Sequence, residues 1–257
     1  MIHATAIIAK EAQIDSTVEI GPYCVVGPNV KLGKGTVLKS HVVIEGCTEL
    51  GDENHVSSFA VLGGPPQDLK YNNENTKLVI GKNNRIREGV TINLGTTQGG
   101  GVTQLGDNNL LMSYVHVGHD CKIENSTVLS SGVGLSGHVH VEDYVIICGM
   151  SGVSQFVRLG EYTYVGGKSS ISKDIPPYSI GYGSRPFQIK GANIIGLKRK
   201  GFSVEIIQKI NEAIKLWIRE DVQKEQAVLE IESQYGDVKE VNRLICFIRE
   251  SKFGVAR

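Results

Sequence analysis

The chain has 257 residues, with 27 basic and 27 acidic side chains, 31 glycines and 7 prolines. Its 40% hydrophobic content is too high for a disordered chain, and its length allows a sizeable buried core. The zero net charge argues against a dedicated nucleic-acid binder. No apolar run approaches the roughly 20 residues of a transmembrane helix, and the first residues lack a secretory pattern. Five scattered cysteines without a CxxC pair predict reduced thiols in a cytoplasmic protein.

An aliphatic residue recurs every six positions through most of the chain. The blocks run from Ile2 to Val56, from Ile80 to Ile92 and from Leu105 to Ile171. A small or β-branched residue usually follows four positions later, and glycine often follows the aliphatic directly, where a tight corner needs a positive φ or close backbone approach. Three hexads make one triangular coil of 18 residues, with successive coils about 4.8 Å apart. The pattern predicts an all-β parallel β-helix over residues 1–185.

Two segments interrupt this register. Leu62–Leu78 is polar and contains Pro65 and Pro66, and Thr97–Gln104 is rich in glycine. In a solenoid such insertions become loops at one corner, often beside a binding face. Harmless surface loops are the alternative interpretation.

Helical periodicity replaces the hexads after Pro177. Ser203 is a predicted N-cap for a helix over 204–219, a second helix is predicted over 222–234, and Asp237 is a predicted cap for a third over 238–251. Residues 186–257 are therefore predicted to form a C-terminal α-helical domain that covers the open end of the solenoid.

Polar side chains concentrate in the third block, at His116, His119, Asp120, His138 and Gln155. Positions 119, 137 and 155 are 18 apart, so they are predicted to form one column on a single face. The residue at 119 occupies the third position of its hexad, which faces away from the crowded core.

This column suits hydroxyl activation. An outward His119 followed by Asp120 is typical of a general base held by a carboxylate, and Gly137 could offer its N–H to an oxyanion. A zinc ion shared by imidazoles of adjacent subunits is the competing hypothesis, but Asp120 and Gln155 fit hydroxyl activation better, so no metal is predicted. No serine or cysteine is placed as a nucleophile, which favours direct transfer.

Several motifs occur in a recognisable order along the whole chain: QDLKY at 67–71, IGKNNRIREGVTI at 80–92, HVGHDC at 116–121, SGHV at 136–139, DIPPY at 174–178 and GLKRKGFS at 196–203. With them the chain resembles the acyl-ACP:UDP-N-acetylglucosamine O-acyltransferase family of hexapeptide-repeat enzymes. The resemblance implies a left-handed β-helix and a homotrimer with sites between subunits. It also implies transfer of an (R)-3-hydroxyacyl chain from acyl carrier protein to the sugar 3-OH of UDP-N-acetylglucosamine in lipid A synthesis, without a cofactor.

The resemblance also implies residue roles. His119 would be the general base, Asp120 would orient it, and the Gly137 amide would stabilise the oxyanion. Gly167 would set the length of the acyl chain, and a glycine there leaves room for a longer chain. Further substrate contacts are implied for Asp68, Lys70, His116, His138 and Gln155 with the sugar and acyl chain, and for Asn193 and Arg199 with the nucleotide.

A basic cluster in the GLKRKGFS segment suits an acidic carrier protein. It comprises Lys198, Arg199 and Lys200. The alternative is that these three side chains are simply solvated ahead of a helix.

Three positions depart from the family pattern. Ile195 stands where an acidic residue is expected near the ribose, and Asn93 and Leu94 replace a His-Arg pair. An acceptor with a 3-amino group is therefore an open alternative, as is a related hexapeptide N-acyltransferase or acetyl-CoA-dependent acetyltransferase. The N-acyltransferase would need an extra N-terminal domain, for which hexads starting at Ile2 leave no room. A non-enzymatic solenoid is the third hypothesis. Its outward face would repeat one residue type, whereas the outward positions of this chain are heterogeneous.

Overall fold

The computed structural model describes all 257 residues, and most of its strands are only two residues long. The strands of the first half are β1 (Ile7–Ile8), β2 (Gln13–Ile14), β3 (Glu19–Ile20), β4 (Val25–Val26), β5 (Lys31–Leu32), β6 (Val37–Leu38), β7 (Val43–Ile44), β8 (Cys47–Leu50), β9 (His55–Val56), β10 (Val61–Gly64), β11 (Lys77–Ile80), β12 (Arg85–Ile86) and β13 (Thr91–Asn93). Those of the second half are β14 (Val102–Leu105), β15 (Leu110–Leu111), β16 (His116–Val117), β17 (Lys122–Ile123), β18 (Val128–Leu129), β19 (Gly134–Leu135), β20 (His140–Val141), β21 (Ile146–Ile147), β22 (Gly152–Val153), β23 (Arg158–Leu159), β24 (Tyr164–Val165), β25 (Ser170–Ile171), β26 (Ser179–Tyr182) and β27 (Gln188–Ala192).

The strands form the three faces of a parallel β-helix. The first sheet has the order β1-β4-β7-β10-β13-β16-β19-β22-β25, the second β2-β5-β8-β11-β14-β17-β20-β23, and the third β27-β26-β24-β21-β18-β15-β12-β9-β6-β3. All pairings are parallel except that of β26 with β27. Each chain turn therefore contributes one strand to each face, as the hexad period predicts.

The 18-residue coil is confirmed where no loop intervenes. In the first sheet His116 pairs with Gly134, and Gly134 pairs with Gly152. Across the two interruptions the paired residues lie further apart in sequence, since Val61 pairs with Thr91 and Thr91 with His116. The extra residues leave the solenoid as loops, which are shorter than predicted because β10, β11 and β14 extend into the two segments. The strands on either side still pair, with one register irregularity between β10 and β13.

The interior is filled by the aliphatic residue of each hexad and by the small residue four positions later, such as Val42 and Val133. Aliphatic side chains such as Leu38, Ile44 and Leu129 are 1% exposed or less, and they belong to a single buried cluster.

The sequence pattern did not predict a polar column inside this core. Buried asparagine side chains in three successive coils satisfy backbone groups of their neighbours, at Asn54, Asn84 and Asn109. Because each side-chain amide bonds to the next coil, the column leaves no buried polar group without a hydrogen-bond partner.

Of the two roles expected for the glycines that follow the aliphatic positions, the structure shows close backbone approach, because the left-handed corner positions are mostly filled by other residues. Asp120, His138 and Phe156 have φ of 59°, 62° and 66°. The glycines that follow the aliphatic positions serve close approach instead: at Gly118 a Cβ would lie 2.9 Å from the Gly137 nitrogen. Backbone proximity between coils is therefore what excludes a side chain there.

Four helices follow the last strands: α1 (Ile194–Arg199), α2 (Val204–Trp217), α3 (Lys224–Tyr235) and α4 (Lys239–Glu250). The Ser203 hydroxyl accepts a hydrogen bond from the Ile206 N–H, which confirms the predicted cap of α2. The predicted cap Asp237 is wrong, because α4 begins after Val238, which makes no side-chain capping bond. No helix combines the length and apolar character needed to cross a bilayer.

The helices dock on the last coils through charged contacts. Arg158 donates to the Phe247 carbonyl oxygen at 2.8 Å and lies over its ring. Arg243 on α4 pairs with the buried Glu142 carboxylate. The predicted boundary between the β-helix (residues 1–185) and the helical domain (residues 186–257) falls in the turn between β26 and β27. Because these two strands pair, a strand pairing joins the two predicted domains.

Candidate active site

A histidine–aspartate dyad lies at the corner that follows β16. The Nδ1 of His119 is 2.8 Å from Oδ2 of Asp120. An ionised carboxylate can only accept, so Nδ1 carries the proton and Nε2 keeps its lone pair. His119 lies outside the aliphatic core, as predicted, yet it is only 7% exposed. Neighbouring coils and loops cover the ring, so it is a sheltered group rather than a solvated one.

The Asp120 carboxylate is also held by Thr96, the residue before the glycine-rich segment. The N–H of Thr96 donates to Oδ1 at 2.8 Å, and its hydroxyl donates to Oδ2 at 2.7 Å. The backbone N–H of Asp120 donates to the Thr103 hydroxyl at 2.8 Å. Every oxygen of the carboxylate therefore has a hydrogen-bond donor, which fixes its orientation.

Gly137 lies one coil further along, against the imidazole. A Cβ at Gly137 would be 2.6 Å from the Nε2 of His119, so no other residue fits without moving the ring. The neighbouring His138 N–H donates to the His119 carbonyl oxygen, whereas the Gly137 N–H makes no hydrogen bond. An unpaired amide beside an available imidazole nitrogen can stabilise an oxyanion formed there.

His119 and Gly137 border a groove of about 520 Å³. One end carries polar groups from Gln67, Asn93 and His116. The floor past the dyad is formed by Gly134 and Gly152, where an added Cβ would meet nothing within 4 Å. The groove therefore offers hydrogen-bonding partners along its length, with Ser154, Gln155 and Ser170 toward its other end, and open space over the two glycines.

Two further histidines border the dyad. His116 Nδ1 is 2.8 Å from the Thr91 hydroxyl, and burial lowers the pKa of the His116 ring. His138 stacks on Phe156 with ring centroids 4.4 Å apart, and burial, with a smaller opposing effect of the Asp120 charge, lowers its pKa. Both rings are accordingly neutral near pH 7, and neutral imidazoles can donate and accept hydrogen bonds.

The dyad and His138 also form the one cluster with metal-ligating potential. The possible ligand atoms of His119, Asp120 and His138 lie within 4.8 Å of one another. Both Asp120 oxygens already accept hydrogen bonds, and His119 uses Nδ1 for one of them. A metal ion would have to displace those bonds, so the arrangement fits proton transfer better than metal binding.

The structure brings His116, His119, Gly137 and Gln155 together in the groove. Asp120 and His138 lie directly behind it. The first loop comes close to the same place, because Gln67 lines the groove and the Asp68 charge acts on His138. Asp68 accepts a hydrogen bond from the Lys70 N–H, while the Lys70 side chain is exposed.

The remaining predicted residues lie outside the groove of this single subunit. Gly167 is near Gly149, whose carbonyl oxygen would be 3.3 Å from an added Cβ. Asn193 is 8% exposed and caps α1, accepting from the Gly196 N–H and donating to the Tyr162 carbonyl oxygen.

The basic cluster lies at the end of α1. Lys198 and Arg199 occupy its last turn, and the Lys200 ammonium lies 4.3 Å from the centroid of the Tyr144 ring. The third cation of the predicted cluster therefore packs on the solenoid rather than extending freely.

The positions that depart from the family pattern differ in exposure. Asn93 lines the groove and donates to the Pro65 carbonyl oxygen at 3.1 Å. Leu94 is buried, with 6% exposure, whereas Ile195 is 66% exposed. Of the three, only Asn93 can influence a bound acceptor directly within one subunit.

Sequence reasoning missed Thr96, Thr103 and Gln67 as members of the site. Thr96 stands one residue before the predicted loop, and its neighbour Asp120 lies 24 positions further along. The 18-residue period does not connect them, because the loop adds residues between the paired coils. The insertion length would have to be known before this contact could be found.

Comparison with known proteins gives one consistent result. Residues 174–256 match the family model described as UDP-N-acetylglucosamine O-acyltransferase, domain 2, and residues 103–137 match the bacterial transferase hexapeptide model. An acyl-[acyl-carrier-protein]–UDP-N-acetylglucosamine O-acyltransferase from Thermodesulfovibrio yellowstonii is 47% identical, with 100% of this chain and 99% of the relative covered.

Solved structures agree in fold. A UDP-N-acetylglucosamine acyltransferase from Bacteroides fragilis superposes with a TM-score of 0.97 at 38% identity, covering 100% of both chains. A UDP-N-acetylglucosamine O-acyltransferase from Moraxella catarrhalis gives 0.95 at 44% identity, with 100% of this chain and 99% of that one covered. The likeness and the three parallel sheets confirm the left-handed parallel β-helix with C-terminal helices. The chain therefore belongs to the family of acyl-ACP–UDP-N-acetylglucosamine O-acyltransferases.

Proposed function

We propose that this protein transfers an (R)-3-hydroxyacyl chain from acyl carrier protein to the 3-hydroxyl of UDP-N-acetylglucosamine, the acylation that begins lipid A synthesis. The observation that carries the proposal is the sheltered His119–Asp120 dyad, with the unpaired Gly137 amide against its ring. Direct transfer needs a base for one hydroxyl and a donor for one oxyanion. The groove supplies both at one point.

His119 acts as the base. Its Nε2 takes the proton of the sugar 3-hydroxyl as the oxygen attacks the thioester carbonyl carbon. The Asp120 carboxylate stabilises the imidazolium that forms and keeps the ring in place through the Nδ1 hydrogen bond at 2.8 Å.

The tetrahedral intermediate carries a negative oxygen, which the Gly137 N–H stabilises. Its collapse breaks the carbon–sulfur bond and forms the 3-O-ester. The imidazolium then returns its proton to the departing thiolate, so the carrier leaves as a free thiol and His119 is again neutral. No cofactor takes part in this sequence.

Different parts of the groove suit the two substrates. The part with Gln67 and His116 lies close to the first loop, and there Asp68 and Lys70 would contact the sugar. The floor formed by Gly134 and Gly152 leaves space for the acyl chain past the dyad. His138 and Gln155 border the reacting centre between them.

Nucleotide and carrier contacts would come from the region around α1. Asn193 and Arg199 are proposed to meet the nucleotide, and Lys198, Arg199 and Lys200 the acidic carrier protein. These residues lie outside the groove of their own subunit, which supports a site completed by a neighbouring chain. Gly167, also outside it, would limit the acyl chain from that neighbouring side.

A homotrimer is proposed for the same reason. The outward strand positions on the first sheet are aliphatic in the coils that precede the groove, and they include Ile7 and Val25 at 68% and 39% exposure. Further along the same sheet the outward positions are Thr91, His116 and Gly134. A subunit packed on the aliphatic stretch would border the groove. We place the protein in the cytoplasm, where both proposed substrates would be available.

A mass-resolved assay tests this function. Purified protein is mixed with UDP-N-acetylglucosamine and a ladder of acyl-carrier thioesters, and the products are identified by mass. The expected result is a singly acylated nucleotide sugar whose ester is cleaved by mild base. Transfer from acetyl-CoA alone, or no transfer from any carrier thioester, would contradict the proposal. A base-stable amide formed only on a 3-amino acceptor would favour the alternative substrate.

A further inference from the structure

The Asp120 carboxylate has two imidazoles within reach. Its Oδ2 is 2.8 Å from Nδ1 of His119 and 3.7 Å from Nε2 of His138. The two rings stand edge to face, with centroids 5.1 Å apart. A rotation of the carboxylate that moves Oδ2 by about an ångström would exchange one partner for the other. Something must therefore hold the carboxylate on His119.

Thr96 holds both oxygens of that carboxylate. Its backbone N–H donates to Oδ1 at 2.8 Å, and its hydroxyl donates to Oδ2 at 2.7 Å. A carboxylate bound at both oxygens by one residue cannot turn about its Cβ–Cγ bond without breaking a hydrogen bond. The Asp120 side chain is also only 1% exposed, so water does not replace a lost donor at once.

The geometry around Thr96 leaves its hydroxyl proton one acceptor. Thr96 is the N-cap of a 3-10 turn over Thr97–Gly99, and its Oγ1 accepts from the Gly99 N–H at 3.1 Å. The hydroxyl proton is therefore directed at Asp120. Gly99 also packs against the carboxylate, since a Cβ there would lie 2.1 Å from Cγ of Asp120. The loop thus holds the carboxylate by hydrogen bonds and by contact.

We propose that Thr96 is a positioning residue that keeps Asp120 on His119 rather than on His138, and so determines which imidazole acts as the base. The inference rests on the proposed function only for the catalytic role of His119. The hydrogen-bond arrangement itself is independent of any substrate. The glycine-rich loop then helps to position the dyad and is not only a loop on the surface.

The kinetic test compares Thr96→Val, Thr96→Ser and Thr97→Val. The first removes the hydroxyl at nearly constant size, and the second restores it. The third makes the same change at an exposed residue whose hydroxyl makes no hydrogen bond. We expect Thr96→Val to lower kcat about tenfold to a hundredfold, the effect of losing a hydrogen bond to a charged group, with KM nearly unchanged. Thr96→Ser should recover most of the loss, and Thr97→Val should behave as the parent protein.

A spectroscopic test separates positioning from a general structural effect. In protein labelled with ¹⁵N-histidine, the Nδ1–H of His119 should give a strongly hydrogen-bonded proton signal, assigned by its loss in His119→Gln. That signal should weaken or shift in Thr96→Val, with a matching change at Nε2 of His138, and both should return in Thr96→Ser. This measurement needs no turnover, so it decides the inference even if the proposed acyl transfer fails.

Gly99→Ala offers a second perturbation should Thr96→Val fold poorly. It keeps the hydroxyl but pushes a methyl group into the carboxylate, so the same change of the His119 and His138 signals is expected. Unchanged ring signals in a folded Thr96→Val or Gly99→Ala protein would overturn the inference. So would a kcat loss in Thr96→Val that Thr96→Ser does not recover.

Discussion

Gly137 and His119 are in contact across one coil of the β-helix, with 2.5 Å between the Cε1 of the ring and the place where a Cβ would be. The absence of a side chain at 137 is thus a condition for the position of the base. The Gly137 N–H makes no hydrogen bond, and Gly137 lines the groove.

Gly137→Ala should therefore lower kcat by about a hundredfold, the effect of displacing a reacting group by roughly an ångström. The fold should survive, since the methyl group meets a side chain rather than backbone. Gly27→Ala is the control, because its Cβ would meet nothing closer than 3.4 Å and lies far from the groove along the chain. Steady-state rates and thermal unfolding of both variants check this. Full activity in Gly137→Ala would exclude close contact with the base.

Gly167→Met should shift the preference toward shorter acyl chains. A Cβ at Gly167 would lie 3.3 Å from the Gly149 carbonyl oxygen and 3.8 Å from Cβ of Cys148, so a side chain can be accommodated by small shifts and would extend outward. The measurement is the product distribution with a mixture of carrier thioesters of different lengths. The same distribution for both proteins would refute the role of Gly167 in chain length.

His116 should make stability depend on pH. Burial lowers its pKa below 6.5 in the folded state, so the unfolded chain binds the proton more readily. The free energy of unfolding should then fall as the pH drops below about 6.5, the unfolded value, toward the folded pKa. Above that pH the ring is neutral in both states and contributes no pH dependence. In His116→Gln the fall in stability between pH 7.5 and 5.5, measured by urea unfolding, should be smaller, and an equal fall would contradict the assignment.

Arg243 should stabilise the docking of α4 on the solenoid. It pairs with Glu142, which is 6% exposed and would otherwise lack its charged partner. Because Arg243 itself is partly exposed, we expect Arg243→Met to cost about 1–2 kcal/mol of unfolding free energy. The control is Arg249→Met, whose pair with Glu232 is solvent-exposed and should matter much less. Equal effects in urea unfolding would show that the burial of Glu142 is unimportant.

The hexad period was sufficient to predict the coil register and the column that contains His119, Gly137 and Gln155. A fixed period of 18 specifies which residues stack, and the observed pairing of His116 with Gly134 follows it. The same arithmetic fails across the loops, where Thr91 pairs with His116, 25 positions later. The contact of Thr96 with Asp120 spans that interruption and was missed for this reason.

Two other features depend on tertiary context. Buried Asn84 is acceptable only because coils on both sides supply its hydrogen-bond partners, which composition does not show. Val238 rather than Asp237 is the N-cap of α4, a helix that packs against α2 and α3 with Val241 and Leu244 buried. Local capping preferences are weaker than such packing.

We propose that His119 removes the proton from the acceptor hydroxyl. The most direct test is the single-turnover rate of acyl transfer by His119→Ala and by the parent protein, with saturating nucleotide sugar and mass-resolved products. We expect a loss of about 10²–10⁴-fold in this rate for the variant, with unchanged thermal unfolding. Transfer by a folded His119→Ala protein at the parental rate would contradict it.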